Sequence, residues 1–414
     1  MLVNNSLPNK RSDTDKSCNY LETDVSYISS SDEFDERIWT RSTDIVPQKE
    51  EREVLPQRCS SEDFFIGSSE DETAPNFVCP LSSKIVFPVH KLAENIIFDD
   101  IKNLSFITKG SHSEIYTGVW NNSLVVVKML RPKYCADLTA QAEMDSEYSV
   151  LCRIDHPNII RVIGCGSLPR KFIILERMQS TLSRTMDESK ETKSILAIPR
   201  YLSPSQASSE FLNTLYIARD IASAMSYLHD TLHPEIALIH RDLKPDNIGH
   251  NRDGVLKIFD FGLSTCVRRR TLVDETYTMT GNTGSLRFMA PEVVKRESYT
   301  EKVDVYSFAI LVWQLARGRT AFPKLSKAEF KERVVIGGER PKLDKSWPKE
   351  FSALLESCWH SDHMQRPSFT SICDTLESLI YRRINRSPSF GSLMAPVLDA
   401  VKTTSIKKSI SFSL

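Results

Sequence analysis

The sequence predicts an α+β fold in which strands gathered around one helix are followed by a mainly helical part. Three observations carry this. Between Leu104 and Lys128, β-branched and aromatic runs alternate with polar turns, which is the composition of antiparallel strands. From Phe211 to His229, apolar residues (Leu212, Leu215, Tyr216, Ala218, Ile221, Ala222, Met225, Leu228) recur at the spacing of a long buried helix. Two further apolar runs each end in a polar cluster built around an acid. The first is Leu238-Ile239-His240-Arg241-Asp242-Leu243-Lys244-Pro245-Asp246-Asn247, and the second is Lys257-Ile258-Phe259-Asp260-Phe261-Gly262.

Composition sets the frame around these elements. With 414 residues, 40% hydrophobic and 26% charged, the chain is ordinary for a globular protein of two or three domains. A net charge of -1 gives no general attraction to nucleic acid or a membrane surface. The nine cysteines form no C-x-x-C pair, so neither zinc nor a disulfide framework is indicated, and unpaired thiols suit a reducing compartment. The N-terminus has no signal-peptide pattern, Leu2 stands where myristoylation needs glycine, and no apolar run reaches membrane-spanning length. These features predict a soluble intracellular protein of the cytoplasm or nucleus, with no nucleic-acid partner and no membrane insertion. Residues 1–95 are rich in Ser, Asp and Glu, with about eight more acids than bases, and are too polar to bury a core. Residues 381–414 form a Ser-rich, basic tail. Both arms are predicted to be disordered.

An acid and an amide beside a second acid make an oxygen cage suited to a hard cation, and magnesium carried on a nucleotide fits because it keeps few protein ligands. Either cluster alone could be a turn rich in Asp and Asn. Together, the patterns H-R-D-L-K-P-x-N and D-F-G at this separation resemble the catalytic and magnesium loops of eukaryotic protein kinases, the family that general accounts of phosphoryl transfer use as their template. The resemblance implies a bilobal fold, with a small antiparallel β lobe carrying one helix and a larger, mainly α-helical lobe. It implies ATP and magnesium as cofactors. Asp242 would orient the substrate hydroxyl and accept its proton, and Lys244 would steady the transferring phosphoryl group. Asn247 and Asp260 would hold magnesium, while His240 and Phe261 would pack.

Taken in chain order, the remaining elements supply the other parts. The kinase domain is predicted over residues 96–380, with its N-lobe at about 96–175. Strand, turn and strand are read through Leu104-Ser105-Phe106-Ile107 and Thr108 to Trp120. In kinases this turn is a glycine-rich loop over the phosphates. Aligned on Tyr116 and Lys128, only its middle glycine remains, as Gly110, with Thr108 and Ser113 at the flanking positions. Their side chains leave the backbone less free to approach a phosphate. Ile115 and Val126 would cover the adenine. Lys128 ends an apolar strand and by itself reads as a snorkelling strand end. Its spacing from Trp120 resembles W-x-x-x-x-V-A-V-K and makes it the lysine that meets the α- and β-phosphates and a helix glutamate. The helix, about Asp137 to Ile154, offers Glu143 and Glu147, one turn apart, and residue geometry leaves both open. The family's spacing back from His156 selects Glu147.

Strands Ile160–Ile163 and Phe172–Leu175 follow. Leu175 resembles the gatekeeper, and Glu176-Arg177-Met178 resembles the hinge that binds adenine through its backbone. The C-lobe is predicted at 179–380, with a polar insertion at about 187–209 forming a surface loop. Gly249 stands beneath the adenine where the family usually has Leu, and Val126 stands above it where Ala is usual. Either the two changes exchange volume, or a neighbouring side chain fills the gap. An activation segment runs from Gly262 to Pro291 and carries Thr271, Thr276, Tyr277, Thr278 and Thr280. Its closing Gly284-Ser285-Leu286-Arg287-Phe288-Met289-Ala290-Pro291-Glu292 resembles the tyrosine-kinase-like group, as do Asp304-Val305-Tyr306-Ser307-Phe308, Cys358-Trp359 and Arg366-Pro367-Ser368-Phe369. In that group Asp304 would tie down the catalytic loop and Glu292 would pair with Arg366.

The resemblance implies a serine/threonine kinase acting on protein Ser/Thr hydroxyls in intracellular signalling, with an upstream activating kinase or autophosphorylation as its switch. Two alternatives stand beside it. A pseudokinase scaffold is favoured by the degraded glycine loop and opposed by the set Lys128, Asp242, Asn247 and Asp260. Tyrosine or dual specificity is opposed by Lys244 and by Thr283, which is expected to brace that lysine.

Overall fold

Strand pairing begins earlier than the sequence suggests. The computed structural model describes residues 94–192, 210–269, 276–279, 281 and 283–385. Most of the N-terminal arm, of the polar insertion and of the basic tail lies outside these residues. The last helix, however, runs through Asn385, five residues into the tail expected to be disordered, and Ile384 there is buried against the core. β1 (Glu94–Asn95) is only two residues long, with no periodicity to betray it. It runs parallel to β5 (Val162–Gly166) at the sheet edge. Gly166 permits this approach, since a Cβ there would sit 2.7 Å from the Ile96 carbonyl oxygen and 2.4 Å from the Phe172 ring.

The six-stranded sheet has the order β1-β5-β6-β4-β3-β2, with β2 at Lys102–Lys109, β3 at Ser113–Trp120, β4 at Ser123–Leu130 and β6 at Phe172–Glu176. The β3–β4 hairpin turns on Asn121 and Asn122, both left-handed at φ 46° and 59°, a pair of backbone angles that asparagine tolerates. Period-two alternation along β4 buries Val125, Val127 and Met129 in a small core with Ile96, Ile101, Phe172 and Ile174. The same alternation turns Val126 and Lys128 to the opposite face.

The single N-lobe helix, α1 (Leu138–Leu151), starts at Asp137, whose carboxylate accepts from the Thr139 and Ala140 amides. It stops three residues short of the expected Ile154.

Beyond the hinge come β7 (Ser180–Thr181) and α2 (Leu182–Thr192). α2 carries the chain as helix through Thr192, so the polar stretch from Asp187 opens as helix rather than loop. The buried Leu182 and Met186, one turn apart, seat its first turns. α3 (Glu210–Ser226) is the long buried helix that the apolar spacing predicts, and it passes into a π-turn at Tyr227–Thr231. Then come β8 (Ile236–Ile239), β9 (Ile248–His250), β10 (Leu256–Ile258) and β11 (Thr265–Arg268). They are followed by α4 (Pro291–Val294), α5 (Lys302–Arg317), α6 (Lys327–Phe330), α7 (Lys349–Cys358) and α8 (Phe369–Asn385). Every residue of α5 from Val303 to Leu315 is buried, the mark of a helix that serves as a central post. Glu292 and Arg366 form the expected ion pair at 2.6 and 3.0 Å, with the arginine 2% exposed.

Candidate catalytic cleft

The cleft is assembled by β4 and α1 on one side and by the β8–β9 and β10–β11 connections on the other. Lys128 Nζ meets Glu147 Oε2 at 2.6 Å and Asp260 Oδ1 at 2.9 Å. This decides between the two glutamates of α1: Glu143 instead faces His112, with 2.8 Å between its Oε2 and the ring Nδ1. Burial alone would lower the Lys128 pKa, but the carboxylates of Asp260 and Glu147 outweigh it and hold the ammonium well above its ordinary value. The Lys128 charge in turn is the main cause that holds Asp260 below the usual carboxylate range. Asp260 remains open to the cleft, with 45% of its side chain exposed.

Asp242 sits in a set of short contacts. Its Oδ1 accepts from the Ser285 amide at 2.8 Å, and its Oδ2 lies 2.9 Å from Lys244 Nζ and 3.0 Å from Asn247 Nδ2. Asn247 Nδ2 also donates to the Asp242 carbonyl at 2.9 Å, which turns its amide oxygen the other way. Lys244 donates to Ser285 Oγ at 2.7 Å. Thr283, expected to brace this lysine, instead places its Oγ1 3.5 Å from the Gly281 carbonyl. Gly284, at φ 103°, lies between them and turns Ser285 toward the catalytic loop. The signal for Ser285 was present in the closing motif, at its Thr/Ser position.

The catalytic loop hangs from α5. Asp304, fully buried, accepts from the His240 amide at 2.8 Å and the Arg241 amide at 2.9 Å, and pairs with His229 Nε2 at 2.9 Å. Burial pushes its carboxyl pKa up, but His229 and the His240 amide prevail and hold it below the ordinary value. These bonds support Arg241 at φ 67°, and Asp260 is likewise left-handed at φ 65°. Two non-glycine residues in this region, both flanking the cleft, mark stored backbone strain. The His240 and Phe261 rings pack 4.9 Å apart between them. The Arg241 side chain donates to the Leu263 carbonyl at 2.6 Å and reaches the Tyr299 hydroxyl at 3.5 Å.

At the hinge end of the cleft, Leu175 is buried and opposes Val126 across the β4–β6 pair. Ile115 opposes Lys128 on β3. The Glu176 carboxylate turns to Lys257 at 2.9 Å and to the Arg161 amide at 2.8 Å, which fastens the hinge to β10. Gly249 has no room for a side chain. A Cβ there would lie 2.5 Å from the Ser180 carbonyl oxygen and 3.0 Å from Met178 Cε. Of the two sequence readings, the neighbour that fills the gap is the one the geometry favours, and the neighbour is Met178. Gly110 closes its turn through its amide to the Ser113 carbonyl at 2.8 Å.

Among the described activation-segment residues, Thr276 and Thr278 are exposed. Tyr277 between them is half-buried. It exchanges backbone hydrogen bonds with Tyr299 at 2.9 and 3.1 Å and donates its hydroxyl to the Arg268 carbonyl. Thr271 and Thr280 lie outside the described residues.

The sequence is similar to those of known proteins. The family model for protein tyrosine and serine/threonine kinases matches residues 101–376. Three Arabidopsis thaliana proteins are similar. The serine/threonine/tyrosine-protein kinase HT1 is 33% identical over 65% of this chain and 63% of its own. The serine/threonine-protein kinase VIK is 33% identical over 68% and 60%, and the serine/threonine-protein kinase STY17 is 31% identical over 80% and 54%. The chain thus spans less than two thirds of each relative. A fold of a six-stranded β lobe with one helix beside a helical lobe, and a family match over two thirds of its length, make this chain a member of the protein kinase family, with the motif pattern of its tyrosine-kinase-like group.

Proposed function

We propose that the protein transfers the γ-phosphate of ATP to Ser/Thr hydroxyls of protein substrates. The observation that carries this is Lys128, held at once by Glu147 and Asp260 across the cleft from Asp242. Asp242, with Lys244 and Asn247 against it, is machinery that a scaffold holding nucleotide without transferring phosphate would not need, so the pseudokinase reading is the weaker one.

Lys128 would meet the nucleotide phosphates, and Glu147 would keep its ammonium in place. Asp242 would orient the acceptor hydroxyl, holding a near-attack geometry and taking the proton as transfer proceeds. Lys244, already braced by Ser285, would offset negative charge on the moving group. Ile115, Val126, Leu175 and the backbone of 176–178 would hold adenine, with Met178 at the floor beside Gly249. The donor set suits magnesium. Asn247 spends its NH2 on Asp242 and keeps its oxygen, Asp260 is exposed, and among the described residues no cluster of three His, Cys, Asp or Glu could hold a metal by itself. Two protein oxygens with the rest from phosphate and water is how magnesium is carried on nucleotides. Bound there, it would neutralise phosphate charge.

Switching would rest on Arg241. In kinases of this type the arginine before the catalytic Asp meets a phosphate on the activation segment. A phosphate on exposed Thr276 or Thr278, or on Thr280, would add charge-assisted bonds that order the segment, whereas Tyr277 already serves as its anchor. An upstream kinase or autophosphorylation would supply it. No helix among the described residues is long and apolar enough to cross a membrane, which fits a cytoplasmic or nuclear setting.

The test is incorporation of γ-phosphate into a generic protein substrate by the full chain, beside Asp242→Asn, with phosphoamino-acid analysis of the product. Phosphoserine and phosphothreonine that vanish in the variant support the reading. Equal incorporation in both overturns it, and phosphotyrosine would extend it to dual specificity. Activity that survives phosphatase treatment would remove the switch.

A further inference from the structure

The loop at Gly110–Ser113 has lost two of its three usual glycines, yet Arg131 holds three of its carbonyls and its tip side chain is engaged. Arg131, just past the end of β4, takes the His112 carbonyl through its amide at 2.9 Å. Its guanidinium reaches the Gly110 and Ser111 carbonyls at 3.3 and 3.1 Å. The His112 side chain points away from β3 toward α1. Its Nδ1 lies 2.8 Å from Glu143 Oε2, and its ring stands edge-on to Tyr134 with centroids 4.7 Å apart. A carboxylate only accepts, so Nδ1 carries the proton. Arg131 and Lys133 flank the Tyr134 ring, and with Glu143 they are the charged groups facing this corner.

Glu143 is one helical turn before Glu147 on α1, so the two carboxylates share a face. One holds the loop tip and the other holds Lys128. Arg131 and Lys128 likewise lie three residues apart at the end of β4. The loop tip is therefore fastened to the same two elements that form the lysine–glutamate pair.

We propose that His112 is a positioning residue of the phosphoryl-transfer reaction. Through Glu143 it latches the nucleotide loop onto α1, so that closing the loop and setting the Lys128–Glu147 pair become one event. Fixed bonds from side chains thus replace the close backbone fit that glycines give elsewhere. This rests on the reading of Gly110–Ser113 as the loop that covers nucleotide.

The full-length protein separates the parts of the latch. His112→Phe keeps a ring against Tyr134 and removes the donor, whereas His112→Asn places an amide near the position of Nδ1. The expected result is a rise of about three- to tenfold in KM for ATP with His112→Phe. Faster hydrogen exchange should appear in both the loop and the first turns of α1. His112→Asn should recover most of the loss. Glu143→Leu, which removes the acceptor, combined with His112→Phe should be no worse than the poorer single variant, since both break one contact. Unchanged KM and exchange in His112→Phe, or additive losses in the double variant, would overturn the latch. Gly110→Phe reports on the loop by itself. Weaker ATP binding there beside a silent His112→Phe removes only the latch, and unchanged ATP binding in both removes the nucleotide-loop reading.

Discussion

The catalytic loop and the nucleotide loop reach order in opposite ways. The first hangs from the buried Asp304 carboxylate, which takes the His240 and Arg241 amides; its His240 ring is enclosed by the C-lobe core, and its left-handed Arg241 is half-buried. The second lies at the surface, fastened by Arg131 and by a half-exposed histidine–glutamate contact. Buried polar bonds are costly to break because the partner left behind cannot turn to water, whereas exposed ones are worth little. The difference teaches where the protein keeps fixed geometry and where it keeps freedom: chemistry is set in the first loop, and nucleotide must enter and leave under the second.

The sharpest way to break the comparison is at Asp242. Asp242→Asn should cut turnover by about a hundredfold to ten-thousandfold, the range for losing an acid-base group, with ATP affinity little changed. Measured kcat and nucleotide Kd check this, and a Kd that falls apart along with kcat would show that the loop, rather than the proton acceptor, had been lost.

Asp304→Asn attacks the support instead of the chemistry. Removing one partner from a buried charged network should cost about 3 kcal/mol of stability, read as a lower denaturation midpoint in urea. Because the folded Asp304 pKa lies below its ordinary 3.8, its contribution is complete above that pH and is lost as pH falls through the folded value. The variant should therefore lose stability at neutral pH, and the gap from wild type should narrow in strong acid. A comparable substitution in the nucleotide loop should leave the midpoint within about 0.5 kcal/mol.

His250 sharpens the same contrast with an opposite design. Only 1% exposed on β9, it has no hydrogen-bond partner among the described residues for either ring nitrogen. Burial lowers its pKa to about 4, against a small opposing pull from Asp220. A depressed folded pKa means that the unfolded chain binds the proton first, so stability is complete above about pH 6.5 and falls as pH drops toward 4. The loss at pH 5 should be about 2 kcal/mol. His250→Leu should flatten this part of the pH profile, and an unchanged profile would remove the histidine as its cause.

Legibility in the sequence follows the same divide. Asp242, Asn247 and Asp260 could be read because their chemistry demands particular atoms at fixed spacing, whereas Lys128 by itself read as a strand end and needed the resemblance; the structure brings all four to one cleft. Glu147 needed the resemblance to separate it from Glu143, since both share a helix face. Ser285 was passed over for Thr283 because hydroxyl type is visible in a sequence while the turn at Gly284 that aims one of them is not. β1 could not be read from two residues, and its pairing depends on Gly166, seventy residues away. The latch at His112 left no pattern either, because a lone histidine in a turn is chemically silent until Glu143 is folded against it.

The smallest effect is expected at the adenine ceiling. One of the two sequence readings made Gly249 and Val126 an exchange of volume, in which Gly249→Leu would crowd the ring and the double change with Val126→Ala would restore it. The Ser180 carbonyl oxygen, 2.5 Å from where a Cβ would stand, closes that route, because backbone of β7 cannot yield as a flexible side chain does. Gly249→Ala should instead disturb the β7–β9 pairing and lower stability, and Gly249→Leu should fare worse. Val126 stays free of this constraint. It lies on the cleft face of β4, half-buried, opposite Leu175. Val126→Ala removes two methyl groups from that face, which at about 0.8 kcal/mol per buried methylene-sized group should cost 1–1.5 kcal/mol, near tenfold in ATP affinity. With Met178 supplying the floor, Met178→Ala should weaken binding by a similar amount. The two losses should add, because each side chain would meet a different face of the ring. Strong coupling between them in a double-mutant cycle would show that the pocket collapses when either face recedes.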